Sequence, residues 1–179
     1  MQIRQQGKSD LEEILRIQTL AFGYDKEAEL VRSMLSDPSA KPDLSLLAID
    51  PNEHPVGHIL FTRVRVPDLE GNVSASILAP LAVIPDYQKK GVGGALVKEG
   101  LRLLKQADVQ LVFVLGHPGY YPQFGFEPAG KLGFDAPYPI PDEHAGAWMM
   151  QSLQTGVPEA RGVKVVCCTA LNKPEHWRE

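Results

Sequence analysis

The stretch Leu81-Ala82-Val83-Ile84-Pro85-Asp86-Tyr87-Gln88-Lys89-Lys90-Gly91-Val92-Gly93-Gly94-Ala95-Leu96 passes from an apolar run through a polar, glycine-rich turn into a helical pattern. A helix start leaves its first N–H groups unpaired, and its dipole favours negative charge. The missing Cβ atoms at Gly91, Gly93 and Gly94 let a phosphate approach the backbone. Lys89 and Lys90 add positive charge at the mouth. The chemistry on offer is anion binding. Two common phosphate motifs do not fit: a P-loop ends in Gly-Lys-Ser/Thr, whereas here Gly91 follows the lysines and Gly94 precedes Ala95. A dinucleotide fingerprint needs glycine or alanine at position 96, which is Leu96, and opens an N-terminal βαβ unit. A helix cap whose glycines serve only close packing, and a nucleotide site, remain as alternatives.

Other reactive side chains are sparse. The segment Gly119-Tyr120-Tyr121-Pro122-Gln123-Phe124-Gly125-Phe126 brings two phenols into an aromatic cluster. Cys167 and Cys168 are sequence neighbours, which join only through a strained ring, so they read as two free thiols in a core strand. The histidines at 54, 58, 117, 144 and 176 lack metal-ligand spacing and no acidic or cysteine cluster joins them, so no metal is expected. Glu27, His58, Glu70 and His117 are candidates to accept a proton from a nucleophile.

The elements that must position these residues follow from periodicity. A short strand over Gln2 to Gln5 precedes a helix from Ser9 to Phe22, with Ser9 and Glu12 as a capping box and Gly23 as the stop. Asp25 caps a second helix through Leu35, ended by Asp37-Pro38. Leu44 to Ile49, Val56 to Val66 and Val73 to Ile84 read as three antiparallel strands in series. Gly91 to Gln106 is helical, with Gly100 a weak point, and a crossover of that kind sets Leu111 to Leu115 parallel to its predecessor. Eight of the fifteen prolines lie from Pro118 onward, so Ala136 to Gly146 is expected as an irregular loop. Trp148 to Leu153 and Val163 to Leu171 read as a closing hairpin.

The length of 179 residues suits one mixed α/β domain over residues 1–179, and a formal charge of −4 offers no field that gathers nucleic acid or an anionic membrane. No apolar run approaches a bilayer span, and Met1 to Gln6 lacks the apolar core of a signal peptide, so a cytoplasmic protein is expected.

The turn Gln88-Lys89-Lys90-Gly91-Val92-Gly93 resembles the Gln/Arg-x-x-Gly-x-Gly/Ala signature of the GNAT superfamily of acyl-coenzyme A-dependent N-acyltransferases. The order of elements read above is also similar to that family's, which runs strand, two helices, three strands, helix, strand, helix and two closing strands. Within it, Ala79 to Pro85 and Gly119 to Phe126 look most like the bacterial YhbS-like acetyltransferases.

The resemblance implies a mostly antiparallel central sheet splayed between its fourth and fifth strands. It implies an acetyl group carried by acetyl-CoA and passed directly to a small-molecule or peptide amine. Backbone groups of Leu81, Ala82 and Val83 are then expected to pair with the pantetheine arm, and the amides of Gln88, Lys89, Lys90, Gly91, Val92, Gly93 and Gly94 to hold the pyrophosphate. Tyr121, four residues before Gly125, is expected to protonate the leaving thiolate, while Tyr120 serves packing. A backbone N–H of Val83 or Ala82 is expected to meet the oxyanion. Two positions depart from the family. The glutamate that many relatives carry on the fourth strand aligns with Ile77, and the asparagine of the turn after the fifth strand is replaced by Gly116-His117-Pro118-Gly119. A binding module of the same fold without turnover is the competing class, and a homodimer is compatible with the sequence.

Overall fold

A computed structural model describes residues 1–178. Its strands are β1 (Gln2–Gln5), β2 (Leu44–Ile49), β3 (Pro55–Val64), β4 (Ala75–Val83), β5 (Leu111–Leu115), β6 (Glu127–Pro128), β7 (Phe134–Asp135), β8 (Trp148–Ser152) and β9 (Val163–Lys164). The α-helices are α1 (Leu11–Phe22), α2 (Lys26–Leu35) and α3 (Val92–Gln106). Seven strands form one sheet in the order β1-β2-β3-β4-β5-β8-β6, antiparallel at every junction except β4–β5.

Two apolar clusters occupy the two faces of this sheet. Ile14, Ile17, Val31 and Met34 of α1 and α2 join Leu47, Leu60, Ile77 and Phe113 on one face. Val92, Leu96, Val97 and Leu104 of α3 join Leu46, Ile59, Phe61 and Val112 on the other. Each helix buries a stripe at 3.6-residue spacing and each strand alternates its buried faces, which is why the periodicity located these elements.

α1 begins one residue later than the capping box suggests. Asp10 is its N-cap residue, and its carboxylate is held by both Arg4 guanidinium nitrogens at 2.7 and 3.0 Å and by the Gly7 N–H at 2.6 Å. An ion pair with the preceding strand therefore outweighs the local cap. Gly100 is not a weak point either. A Cβ at that position would overlap the Phe61 ring, so the glycine lets α3 lie against β3. Gly100→Ala is expected to lower stability by about 1–3 kcal/mol despite alanine's better helix propensity. A fall in urea midpoint at unchanged m-value checks this.

The closing hairpin is not formed. β8 lies between β5 and β6, while Val163–Lys164 pairs in parallel with β7 in a separate two-stranded sheet. β6 occupies the edge of β8 that a hairpin partner needs. Val166 instead exchanges two backbone hydrogen bonds with Arg65, at 2.8 and 2.9 Å. Cys167 and Cys168 are buried free thiols in this extended stretch rather than in a strand. The helix that the family order sets after β5 is shortened to a 3-10 turn over Tyr121–Phe124. Pro118 and Pro122 precede or open that turn, and Gly125 ends it at φ +98°.

β4 and β5 stay in register only from Ala75 opposite Leu111 to Leu78 opposite Val114. β4 continues to Val83, so its last five residues have no partner on that side. On the other side Ile59 faces Leu81 and Phe61 faces Leu78, which leaves Ala79 and Pro80 bulged opposite Leu60.

Candidate active site

The open edge of β4 presents selected backbone groups. Hydrogen-bonded and non-bonded pairs alternate along an antiparallel ladder. The Ile84 N–H donates to Val56 O at 3.0 Å, so Ala82, two residues earlier, also turns its N–H and C=O toward β3, opposite His58. Leu81 and Val83 turn theirs into the gap. The Val83 carbonyl is taken by the Gln88 Nε2–H at 2.9 Å, leaving the Leu81 N–H and C=O and the Val83 N–H to face a ligand. Ala82 is therefore a spacer on this edge rather than a third pairing residue. Of the two amides expected to meet the oxyanion, only that of Val83 points outward, and Leu81 joins it.

Directly after the edge lies the glycine turn. Tyr87 anchors it through a 2.7 Å hydrogen bond from its hydroxyl to Asp50. Lys89 and Gly91 have φ of +61° and +86°, and the left-handed conformation at a lysine is costly, a strain that accumulates at ligand sites. The amides of Lys89, Lys90, Gly91, Val92, Gly93 and Gly94 find no acceptor among the described residues, and the first internal bond of the helix runs from the Ala95 N–H to Gly91 O at 3.0 Å. Six consecutive free donors beside an open strand edge form a cradle that is able to accept an anion, next to backbone groups able to pair with an extended, amide-bearing chain.

The two tyrosines separate in space. A Cβ at Gly93 would stand 2.9 Å from the Tyr120 hydroxyl, 3.6 Å from Leu81 and 3.8 Å from Val83, so this half-buried phenol sits where the cradle meets the strand edge. Sequence reasoning assigned Tyr120 to packing. Only the doublet itself could have signalled otherwise, because spacing does not tell which ring turns outward. Tyr121 is 8% exposed, packs on the Cα of Gly116, and stands edge-on to Tyr120 at 5.1 Å and to Phe126 at 5.8 Å. Its hydroxyl has no hydrogen-bond partner among the described residues and is absent from their sealed polar atoms, so it opens to a surface. Burial first, then the neighbouring Tyr120, raises its pKa and keeps it protonated.

The four base candidates part company here. His58 is fully buried, with Nδ1 2.8 Å from Gln18 Nε2 and Nε2 2.8 Å from Ser45 Oγ, and desolvation pushes its pKa down to about 3. A ring that stays neutral throughout the working pH range holds no proton as a base. Glu70 lies in the turn before Ala75, at the end of β4 remote from Val83. His117 follows β5 at the gap, and Glu27 lies in the first turn of α2. Ile77 is buried between Thr62 and Phe113, so the family's glutamate position is dry. No group of three His, Cys, Asp or Glu among the described residues could hold a metal, and no helix among them is long and apolar enough to cross a membrane.

The buried His58 also predicts acid sensitivity. Unfolded, it takes a proton near pH 6.5; folded, it resists until about pH 3. The unfolded chain binds more protons inside that window, so stability falls as pH drops through it, by up to about 1.4 kcal/mol per pH unit, and is flat above it. Asp10, whose pKa is lowered chiefly by the Arg4 hydrogen bond, adds a loss below its ordinary range. Urea midpoints across the acid range check this, and His58→Gln should reduce the slope between pH 6.5 and 5, leaving the share of His176, whose pKa burial also lowers.

An acetyltransferase (GNAT) domain matches residues 2–129. The uncharacterized N-acetyltransferase YjhQ of Escherichia coli (strain K12) is 55% identical over 147 residues, which cover 82% of this chain and 81% of that protein. The N-acetyltransferase YhbS of the same strain is 35% identical over 108 residues, covering 60% of this chain and 62% of that protein. The crystal structure of E. coli YhbS in complex with CoA matches with a TM-score of 0.82 at 28% identity, covering 96% of this chain and 92% of that one. A GNAT family acetyltransferase from Brucella melitensis in complex with acetyl-CoA matches with a TM-score of 0.74 at 27% identity, covering 95% and 97%. With the domain match spanning most of the chain and a relative more than half identical across it, the chain belongs to the GNAT family of N-acetyltransferases.

Proposed function

We propose that this protein moves an acetyl group from acetyl-CoA directly to a primary amine, small-molecule or peptide, within a ternary complex. The observation that carries this reading is the run of unpartnered amides from Lys89 to Gly94 continuing into the outward N–H groups of Leu81 and Val83. The cradle receives the diphosphate, and the strand edge pairs with the amide-rich arm as an added strand. The likeness to proteins crystallised with CoA and with acetyl-CoA supports the donor.

The amine nitrogen attacks the thioester carbon, and the carbonyl oxygen takes up negative charge. An outward amide of Leu81 or Val83 meets that charge without reorganisation. Collapse of the tetrahedral intermediate breaks the C–S bond. Tyr121 gives its proton to the sulfur, and solvent restores it; the amine's own proton leaves to water at the mouth of the gap. Both cysteines are buried away from the edge, and burial drives the Cys167 thiol upward in pKa, which fits direct transfer rather than an acyl-enzyme.

The dry Ile77 favours one other reading, a coenzyme-binding module without turnover. Release of free thiol from acetyl-CoA over a panel of amines separates the two: amine-dependent release supports the transferase, whereas binding without release for every amine supports the module.

A further inference from the structure

A cavity of about 990 Å3 opens at the end of the sheet opposite the β4–β5 gap. The end of β3 and the start of β4 form its floor, the last turn of α3 its wall, and residues 71–74 its rim. β4 runs from this cavity at Ser76 to the gap at Val83, about 23 Å along the strand, and the two places share no residue. Side chains two apart on a strand share a face, so Arg63 lies on the α3 side with Phe61, and Arg65 follows it into the lining. Ser76 stands opposite Arg63 across the β3–β4 pair.

The polar groups of this lining are left unpaired. Arg63 and Arg65 make no ion pair and no side-chain hydrogen bond among the described residues. Asp43, the carboxylate of the lining, is taken by Lys41. Asp68 and Glu70, in the adjoining turn, pair with neither arginine. Ser76 is only 5% exposed, yet its hydroxyl has no partner among the described residues and is not sealed, so it opens into the cavity. A buried hydroxyl without a partner is costly, and a ligand oxygen removes that cost. The C-terminal end of α3 opposes an anion with about half a negative charge, against two unit positive charges, so the arginines set the sign of the site. Their Cα atoms lie about 7 Å apart, close enough for both guanidinium forks to grip one tetrahedral group. A formal charge of −4 on the whole chain repels an extended polyanion, which leaves a small molecule as the occupant.

We propose that this cavity is a second ligand site, which binds the phosphate group of a small phosphorylated molecule between Arg63, Arg65 and the Ser76 hydroxyl. The guanidinium groups take the phosphate oxygens in pairs, Ser76 donates the remaining hydrogen bond, and the polar rim of Asn72, Ser74 and Gln106 meets the body of the molecule. The site stands apart from the acetyl-transfer reading and does not depend on it.

The test is calorimetric titration of ribose 5-phosphate and of inorganic phosphate into the full chain saturated with coenzyme A, so that the glycine turn is not the site being read. One ribose 5-phosphate should bind per chain, and inorganic phosphate more weakly at the same place. Arg63→Gln and Arg65→Gln should each weaken binding at least about 10-fold, and Ser76→Ala about 3-fold to 10-fold. Arg102→Gln, which removes an arginine paired with Glu99 outside the cavity, should change nothing. The two arginine variants should keep the wild-type urea midpoint, because neither side chain bonds to the rest of the chain. Ribose without its phosphate should not bind, and succinate should bind at least about 10-fold more weakly than ribose 5-phosphate. Failure of both phosphate probes to bind, or an affinity untouched by either arginine variant, overturns the proposal. Displacement by coenzyme A, one molecule for one, puts the phosphate in the glycine turn and overturns it as well. Succinate binding as tightly as ribose 5-phosphate overturns the assignment to phosphate.

Discussion

Gly93→Glu and Gly91→Glu should each lower coenzyme A affinity by at least about 100-fold while the chain stays folded. The two positions reach this by different routes. At Gly91 a Cβ meets nothing within 4 Å, so the glutamate has room, but φ is +86° and the new side chain carries about 1–2 kcal/mol of backbone strain. At Gly93 the backbone is helical, but a Cβ comes within 2.9 Å of the Tyr120 hydroxyl and beside Leu81 and Val83. Both place a carboxylate against a doubly charged diphosphate, where each charge pair a few Å apart costs about 1–4 kcal/mol at surface dielectric values. Gly91→Gln keeps the size and the strain and omits the charge. It should therefore retain most of the affinity by calorimetry, while Gly91→Glu loses it. Equal affinity in wild type and Gly91→Glu would reduce the glycine turn to a helix cap. ATP competing as well as coenzyme A would make the cradle a general nucleotide site.

The parts of the molecule legible in its sequence are those whose burial follows a regular pattern. The three α-helices lie where 3.6-residue spacing sets them, because each buries one stripe against the sheet, and β2 through β5 lie where short apolar runs set them, because both of their faces are covered. The glycine turn was legible for the same reason, since strand, turn and helix follow one another without interruption. Beyond Gly116 the physics changes. Val163 to Leu171 is apolar because it is buried, but its backbone bonds go to Gly133, Asp135 and Arg65 rather than to β8, and hydropathy carries no record of that choice. Likewise Ser9 loses the cap to Asp10 only because Arg4, on the adjacent strand, draws that carboxylate in. The edge chemistry was half legible. The family resemblance named Leu81, Ala82 and Val83 together, and only the register to β3 shows that the middle residue faces the other way.

Tyr121→Phe should lower turnover about 100-fold, the low end for a lost general acid, with coenzyme A affinity and stability close to wild type. The separation is unusually clean because the hydroxyl has no partner among the described residues, so its removal breaks no internal hydrogen bond, while the ring keeps its contacts with Gly116, Tyr120 and Phe126. Tyr120→Phe should show the complementary defect. Its hydroxyl lies beside Gly93 at the cradle, so losing it should weaken acetyl-CoA binding by about 1 kcal/mol and leave kcat nearly intact. The raised pKa of Tyr121 bears on the same comparison: burial keeps the phenol protonated, so the acid limb should not titrate in the ordinary phenol range near pH 10, and turnover should hold its value there if the acceptor is saturating. Should the two variants exchange phenotypes, with Tyr120→Phe losing turnover and Tyr121→Phe losing only affinity, the proton comes from Tyr120. If neither changes kcat, water protonates the sulfur and the aromatic pair serves only to shape the slot.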